Sequence, residues 1–171
     1  MERHWKHGER NVTEKHTEES RPPTLNDLVD LCRRLNDADA NYMVIGGMAI
    51  LQQGFVRATE DIDLLIDALP ENQDRVRQAL MGLPDGAVKE MKPNDLETYI
   101  VVRVADEIVV DLMKSACGIE FKEASKDIEW VAIQGVNIPF ASSQLLWRMK
   151  QTVREKDSLD RLFLKEKLGK T

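Results

Sequence analysis

The stretch Tyr42-Met43-Val44-Ile45-Gly46-Gly47, followed a short segment later by Asp61-Ile62-Asp63, decides how the chain is read. Its four apolar residues predict a buried strand, and residues 48–53, with Gly54 as a stop, predict a short helix. Two glycines between them let backbone N–H groups approach an anion such as a phosphate at a helix N-terminus. Asp61 and Asp63 open a second predicted strand over 61–66. Residues two apart on a strand share a face and lie roughly 6.6 Å apart along the chain. Both carboxylates can therefore converge on one or two divalent cations, and oxygen ligands favour a hard ion such as Mg2+. Ile62 and Leu64 point the other way, into the core.

Strand, Gly-Gly, short helix and then Arg57-Ala58-Thr59-Glu60-Asp61-Ile62-Asp63 resembles the signature of the DNA polymerase beta-type nucleotidyltransferase superfamily. The Arg-x-Thr-x-Asp-x-Asp form resembles the small bacterial branch containing AbiEii-type toxins and antibiotic nucleotidyltransferases. The resemblance runs from residue 40 to 165. It implies a third carboxylate on a neighbouring strand, and the run 107–112 offers Asp111 in that setting. It further implies metal-dependent transfer of a nucleoside monophosphate from an NTP, ATP among the candidates, to an acceptor hydroxyl. Three kinds of acceptor follow from it: a small molecule, a tRNA or a protein, the latter two often in toxin-antitoxin or defence systems.

By the same resemblance, Asp61 and Asp63 bridge two Mg2+ ions, with Mn2+ as a substitute, and Asp111 holds the metal nearer the acceptor. Metal binding ranks above base catalysis for Asp111, because an Asp with an ordinary pKa near ~3.9 is a weak base. Gly46 and Gly47 would cradle phosphate, Arg57 would contact it and Thr59 would fix the loop. A surface Arg and a turn Thr are the alternative readings of those last two. Lys150 resembles a phosphate-binding lysine. With Arg154, Asp157 and Arg161 it falls at helical spacings of four, three and four, so one continuous helix would align all four on a stripe that could embrace the triphosphate, with Lys150 and Arg154 as its phosphate-binding residues. A solvated, salt-bridged stripe is the alternative there.

An Asp-x-Asp phosphatase fits less well. Its acyl-phosphate chemistry needs Thr or Val two places after the second Asp, where this chain has Leu65, and it has no use for the preceding glycines.

A chain of 171 residues with 42% hydrophobic content can bury the core of one domain. Its net charge of -6 argues against a general nucleic-acid coat, although residues 141–171 carry eight Lys or Arg against four Asp or Glu. Cys32 and Cys117 have neither disulfide-framework nor zinc spacing and read as reduced and structural. No apolar stretch approaches the roughly 18 to 20 residues needed to span a bilayer, so a cytoplasmic protein with no membrane partner is expected. His4, His7 and His16 all lie in a polar leader, residues 1–22, expected to be flexible and to bind metal only adventitiously.

The remainder, 23–171, is expected to form one domain of α/β (α+β) class. The expectation is a minimal nucleotidyltransferase fold: a mixed twisted sheet flanked by helices over 41–140, then a C-terminal helical segment over 141–171. Thr24 can cap a helix whose apolar positions Leu25, Leu28, Leu31, Cys32 and Leu35 follow the helical period. Residues 71–83 read as a crossover helix closed by Pro84-Asp85-Gly86. Residues 98–104 and 108–113 read as a hairpin, 121–126 as a polar helix, and 130–133 with 136–140 as two short strands. Leu145, Leu146, Trp147 and Met149 read as core. No large second domain is left over to build an acceptor pocket, so a homodimer or a cognate partner protein could complete the site.

Two further readings stand beside the enzyme. One is a catalytically inactive nucleotidyltransferase-like module that binds nucleotide or a partner without turnover. All three carboxylates being present counts against it, because unused like charges in one cleft cost stability. The other is a purely structural interaction protein, which leaves Gly46, Gly47, Asp61, Asp63 and Asp111 as coincidence.

Overall fold

The computed structural model describes residues 8–12, 20–155 and 157–170. The chain begins with β1 (Glu9–Asn11), which lies within the stretch expected as a leader and pairs in parallel with a later strand. Val12, just beyond it, is buried. The three histidines lie outside the described residues.

Helix α1 (Leu25–Asp37) starts where its sequence says it should. The Thr24 side chain accepts a hydrogen bond from the Asp27 N–H, and Asp27 accepts one from the Thr24 N–H in return. This capping box satisfies two otherwise orphaned donors. Leu28, Val29, Leu31, Cys32 and Leu35 form the buried stripe.

All four residues of β2 (Tyr42–Ile45) are buried, which is why the strand reads as continuously apolar rather than alternating. Next come α2 (Gly46–Gln52), β3 (Asp61–Ile66) and α3 (Pro70–Leu80), the last begun by a proline in its first turn. A short helix α4 (Asp95–Thr98) takes up the first residue of the expected hairpin and residues 99–100 are irregular, so β4 spans Val101–Ala105 and pairs with β5 (Val109–Met113). The small ribbon β6 (Ser115–Ala116) and β7 (Ile119–Glu120) leads to α5 (Phe121–Ala124). Strands β8 (Ile128–Ile133) and β9 (Val136–Ala141) form the second hairpin, followed by α6 (Ser143–Met149) and α7 (Asp157–Lys167).

The main sheet runs in the order β1-β4-β5-β3-β2-β9-β8. It is mixed: β2 with β3, β4 with β5 and β8 with β9 are antiparallel, while β3 with β5, β2 with β9 and β1 with β4 are parallel. The expected mixed sheet with flanking helices and a helical C-terminal segment is the fold observed. Helices α1 and α3 pack on each other, with α1 also against β9, and the Tyr42 hydroxyl donates to Asn36 at 2.9 Å. Among the described residues no helix is long and apolar enough to cross a membrane.

The continuous C-terminal helix expected through Lys150, Arg154, Asp157 and Arg161 does not form. Helix α6 ends at Met149, and α7 restarts at Asp157. The break has local causes. Thr152 and Val153 are adjacent β-branched residues, which a helix tolerates poorly. The Thr152 hydroxyl donates to Asp157 at 2.5 Å and accepts from the Arg154 N–H, competing with the helical ladder. Arg161 then donates to the carbonyls of Lys150, at 3.0 Å, and Thr152, at 2.8 Å, satisfying acceptors that the terminated helix exposes.

Candidate active site

Sheet register builds the site. Asp63 on β3 lies directly opposite Asp111 on β5, and Arg103 on β4 lies directly opposite Asp111 from the other side. Ile45, the last residue of β2, lies opposite Asp63. Residues directly opposite one another share a face, and neighbouring strands stand about 4.8 Å apart. Asp61, two residues before Asp63, points to that same face. The result is a cluster in which one carboxylate oxygen from each of Asp61, Asp63 and Asp111 lies within 4.8 Å of the others. Asp111 is buried, while Asp61 and Asp63 are half-buried.

The glycines serve this cluster sterically. Gly46 adopts a left-handed φ of 63°, and a Cβ there would lie 1.9 Å from Asp63 Oδ2 and 2.9 Å from its Cβ. Only glycine meets both the conformation and the space. At Gly47 a Cβ would lie 2.5 Å from Thr59 Oγ1 and 3.2 Å from Arg57 Nη2. The turn that ends β2 thus packs against β3 and the segment leading into it. Thr59 does hold that segment, its hydroxyl donating to the Asp61 carbonyl at 3.0 Å.

Arg57 and Lys150 meet at a carboxylate that sequence reasoning overlooked. Asp160 on α7 is completely buried. Arg57 Nη2 donates to its Oδ2 at 2.9 Å, Arg57 Nε lies 2.9 Å from its Oδ1 without hydrogen-bond alignment, and Lys150 Nζ lies 3.1 Å from Oδ2. Lys150 also donates to Asp157 at 3.1 Å. Burial disfavours the charge of Asp157, yet the Thr152 hydroxyl and Lys150 outweigh it and hold the carboxyl below its ordinary range. Arg154 is largely exposed, 3.8 Å from Asp157. Of the three cations expected to bind phosphate, Arg57 and Lys150 are therefore already paired with buried carboxylates, and Arg154 stands near Asp157.

The second residue missed is Arg103. Its Nε donates to Asp111 Oδ1 at 2.9 Å and its Nη2 to Asp111 Oδ2 at 2.8 Å, a fork-on-fork pair, and Nη2 also reaches Asp61 Oδ2 at 3.3 Å. The bonds to Asp111 push the Arg103 guanidinium above its ordinary range, against desolvation, with Asp61 and Glu9 adding to the attraction. A signal was available: Arg103 and Asp111 are equally far from the centre of the 105–109 turn, so a hairpin centred there must set them opposite each other.

Beside the cluster, a cavity of about 510 Å³ opens between Leu25 and Leu28 of α1, Met48 and Leu51 of α2, and Arg57 and Thr59. Thr59 joins the two features, since it lines the cavity and holds the Asp61 carbonyl.

Comparison with solved structures supports the fold. A Thermotoga maritima protein provisionally described as a nucleotidyltransferase superposes with a TM-score of 0.53 at 17% identity, over 90% of this chain and 96% of that one. At that identity the likeness shows a nucleotidyltransferase-like fold and no more. No protein-family model matches the chain, and no curated protein matches it.

The donor set suits a hard divalent cation. All three groups supply carboxylate oxygen, they converge to within 4.8 Å, and the left-handed Gly46 leaves Asp63 space that any side chain would fill.

Proposed function

We propose that the chain is a metal-dependent nucleotidyltransferase that moves a nucleoside monophosphate from an NTP to an acceptor hydroxyl. One observation carries this reading: the direct opposition of Asp63 and Asp111, with Asp61 on the same face, in a chain whose fold resembles that of the Thermotoga maritima protein. In the reaction the acceptor hydroxyl gives up its proton to solvent, its oxygen forms a bond to the α-phosphorus, the bond to the bridging oxygen of the β-phosphate breaks, and pyrophosphate leaves with those electrons. Two Mg2+ ions held by Asp61, Asp63 and Asp111, for which Mn2+ can substitute, would supply charge neutralisation at the attacking and leaving oxygens. The chain's own part is positioning. Gly46 leaves Asp63 free to face the cleft, Thr59 fixes the backbone at Asp61, and the 510 Å³ cavity puts apolar surface next to that segment for the organic part of a substrate. Acceptors of all three kinds remain compatible with this arrangement, as does completion of the site by a second copy or a partner protein. The branch resembling AbiEii-type toxins, and with it a toxin-antitoxin or defence role, is part of the same proposal.

Arg103 favours a second reading, a nucleotide-binding module without turnover, because a guanidinium already neutralises two of the carboxylates. One experiment separates the two. The wild type, Asp63→Asn and Asp111→Asn are incubated with NTPs labelled at the α-phosphate, Mg2+ and pools of small-molecule, tRNA and protein acceptors, and both label transfer and pyrophosphate are read. The enzyme reading expects Mg2+-dependent pyrophosphate release by the wild type, with at least a hundredfold loss in each variant. Nucleotide binding by the wild type with no release in any pool would favour the module.

A further inference from the structure

We infer that Arg103 is a resident counter-ion that competes with a divalent metal for Asp61 and Asp111, and so sets the affinity of the carboxylate cluster for its ion. The inference rests on the metal-centre reading above and extends it to a residue which that reading does not use.

Geometry supplies the argument. Both oxygens of Asp111 accept from Arg103, at 2.9 and 2.8 Å, and Asp61 Oδ2 lies 3.3 Å from the same Nη2. A divalent ion bound by Asp61, Asp63 and Asp111 needs lone pairs from that same small set of oxygens. Arg103 is also fixed in place by more than these contacts, since β4 is hydrogen-bonded between β1 and β5 and register alone sets residue 103 opposite residue 111. Its side chain is 38% exposed, so it has solvent to swing into when an ion takes its partners, whereas Asp111, at 6%, has none.

Two effects oppose each other when Arg103 is removed. Asp111 loses the fork that orients it, which would weaken metal binding. The cluster also loses a positive charge a few ångströms from the ion. Asp111 is already held by a buried, register-fixed strand, so the charge effect dominates. At separations near 5 Å a unit charge and a divalent ion interact by well over the roughly 1.4 kcal/mol that corresponds to a tenfold change in affinity, even at an effective dielectric constant of about 20.

The test is Mn2+ binding by electron paramagnetic resonance, reading the loss of the free aqueous Mn2+ signal without nucleotide. Full-length wild type, Arg103→Met, Arg103→Gln, Arg103→Lys and Asp63→Asn are compared, with far-ultraviolet circular dichroism as the check on folding. Arg103→Met and Arg103→Gln are expected to bind Mn2+ roughly tenfold more tightly or better. Arg103→Lys keeps the charge without the fork and is expected to stay within a few-fold of the wild type. Asp63→Asn is expected to lose binding. Unchanged or weaker Mn2+ binding by both neutral variants overturns the inference while leaving the metal centre standing. Failure of every protein to bind, or undiminished binding by Asp63→Asn, overturns the metal centre and the inference with it.

Discussion

Asp63 is the residue on which the site turns. It is adjacent across the sheet to Asp111, and the Gly46 turn closes directly over it. Asp63→Asn removes a metal ligand and one of three clustered negative charges. The variant should melt at or slightly above the wild-type temperature without metal, while stabilisation by Mg-NTP, which follows affinity, should shrink to near zero. Differential scanning fluorimetry with and without Mg-NTP checks both halves, and an undiminished shift would remove Asp63 from the site. Gly46→Ala is a different kind of change. A left-handed alanine costs about 1 to 2 kcal/mol, and its Cβ would displace the Asp63 carboxylate. A urea melt should show that loss together with a loss of Mg-NTP binding, whereas Gly54→Ala, equally left-handed but with open space around it, should lose stability alone.

At the scale of the element, the ion network beneath α7 changes what Lys150 is expected to do. A surface lysine would be nearly silent on substitution, but Lys150 is 12% exposed and bridges Asp157 and Asp160. Asp160→Ala strips the shared partner from Arg57 and Lys150 and leaves two cations without it. Breaking a buried pair in this way costs about 3 to 5 kcal/mol, measurable by chemical denaturation. A loss under 1 kcal/mol would show the network to be dispensable. Asp157 adds a pH dependence. Its carboxyl is held below the ordinary range in the folded state, so its contribution is present above the unfolded pKa of about 3.9 and is lost as pH falls through the lower folded value. Melting temperature should therefore drop below about pH 4, and Asp157→Asn should flatten that drop. An unchanged acid slope in the variant would assign it to other carboxylates.

These elements also mark how far the sequence could be read. The run Tyr42–Ile45, the glycine pair and the Asp-x-Asp strand were legible because each rule is local: apolar continuity, left-handed backbone, and a strand period of two. The helix cap at Thr24 was equally local. The end of α6 at Met149 was not, because no glycine or proline marks it and the deciding bonds run from Arg161 back to two carbonyls. The strand at Glu9–Asn11 escaped notice since its pairing partner lies about ninety residues away. Asp160 was missed for the same reason, since Arg57 reaches it from 103 residues away, whereas Arg103, eight residues from Asp111, was legible from the symmetry of the hairpin.

For the whole molecule, the seven-stranded order brings together charged groups from three separate strands and the glycine turn after a fourth, and no single segment contains the site. That makes the central claim a claim about place, and place can be measured. Crystals of the full chain grown with Mn2+ and a non-hydrolysable NTP, with data collected above and below the manganese absorption edge, would locate the ion by its anomalous signal. One or two peaks are expected within ligand distance of Asp61, Asp63 and Asp111, with the nucleotide's phosphates reaching them. Nucleotide bound elsewhere with no manganese at these three carboxylates would contradict it.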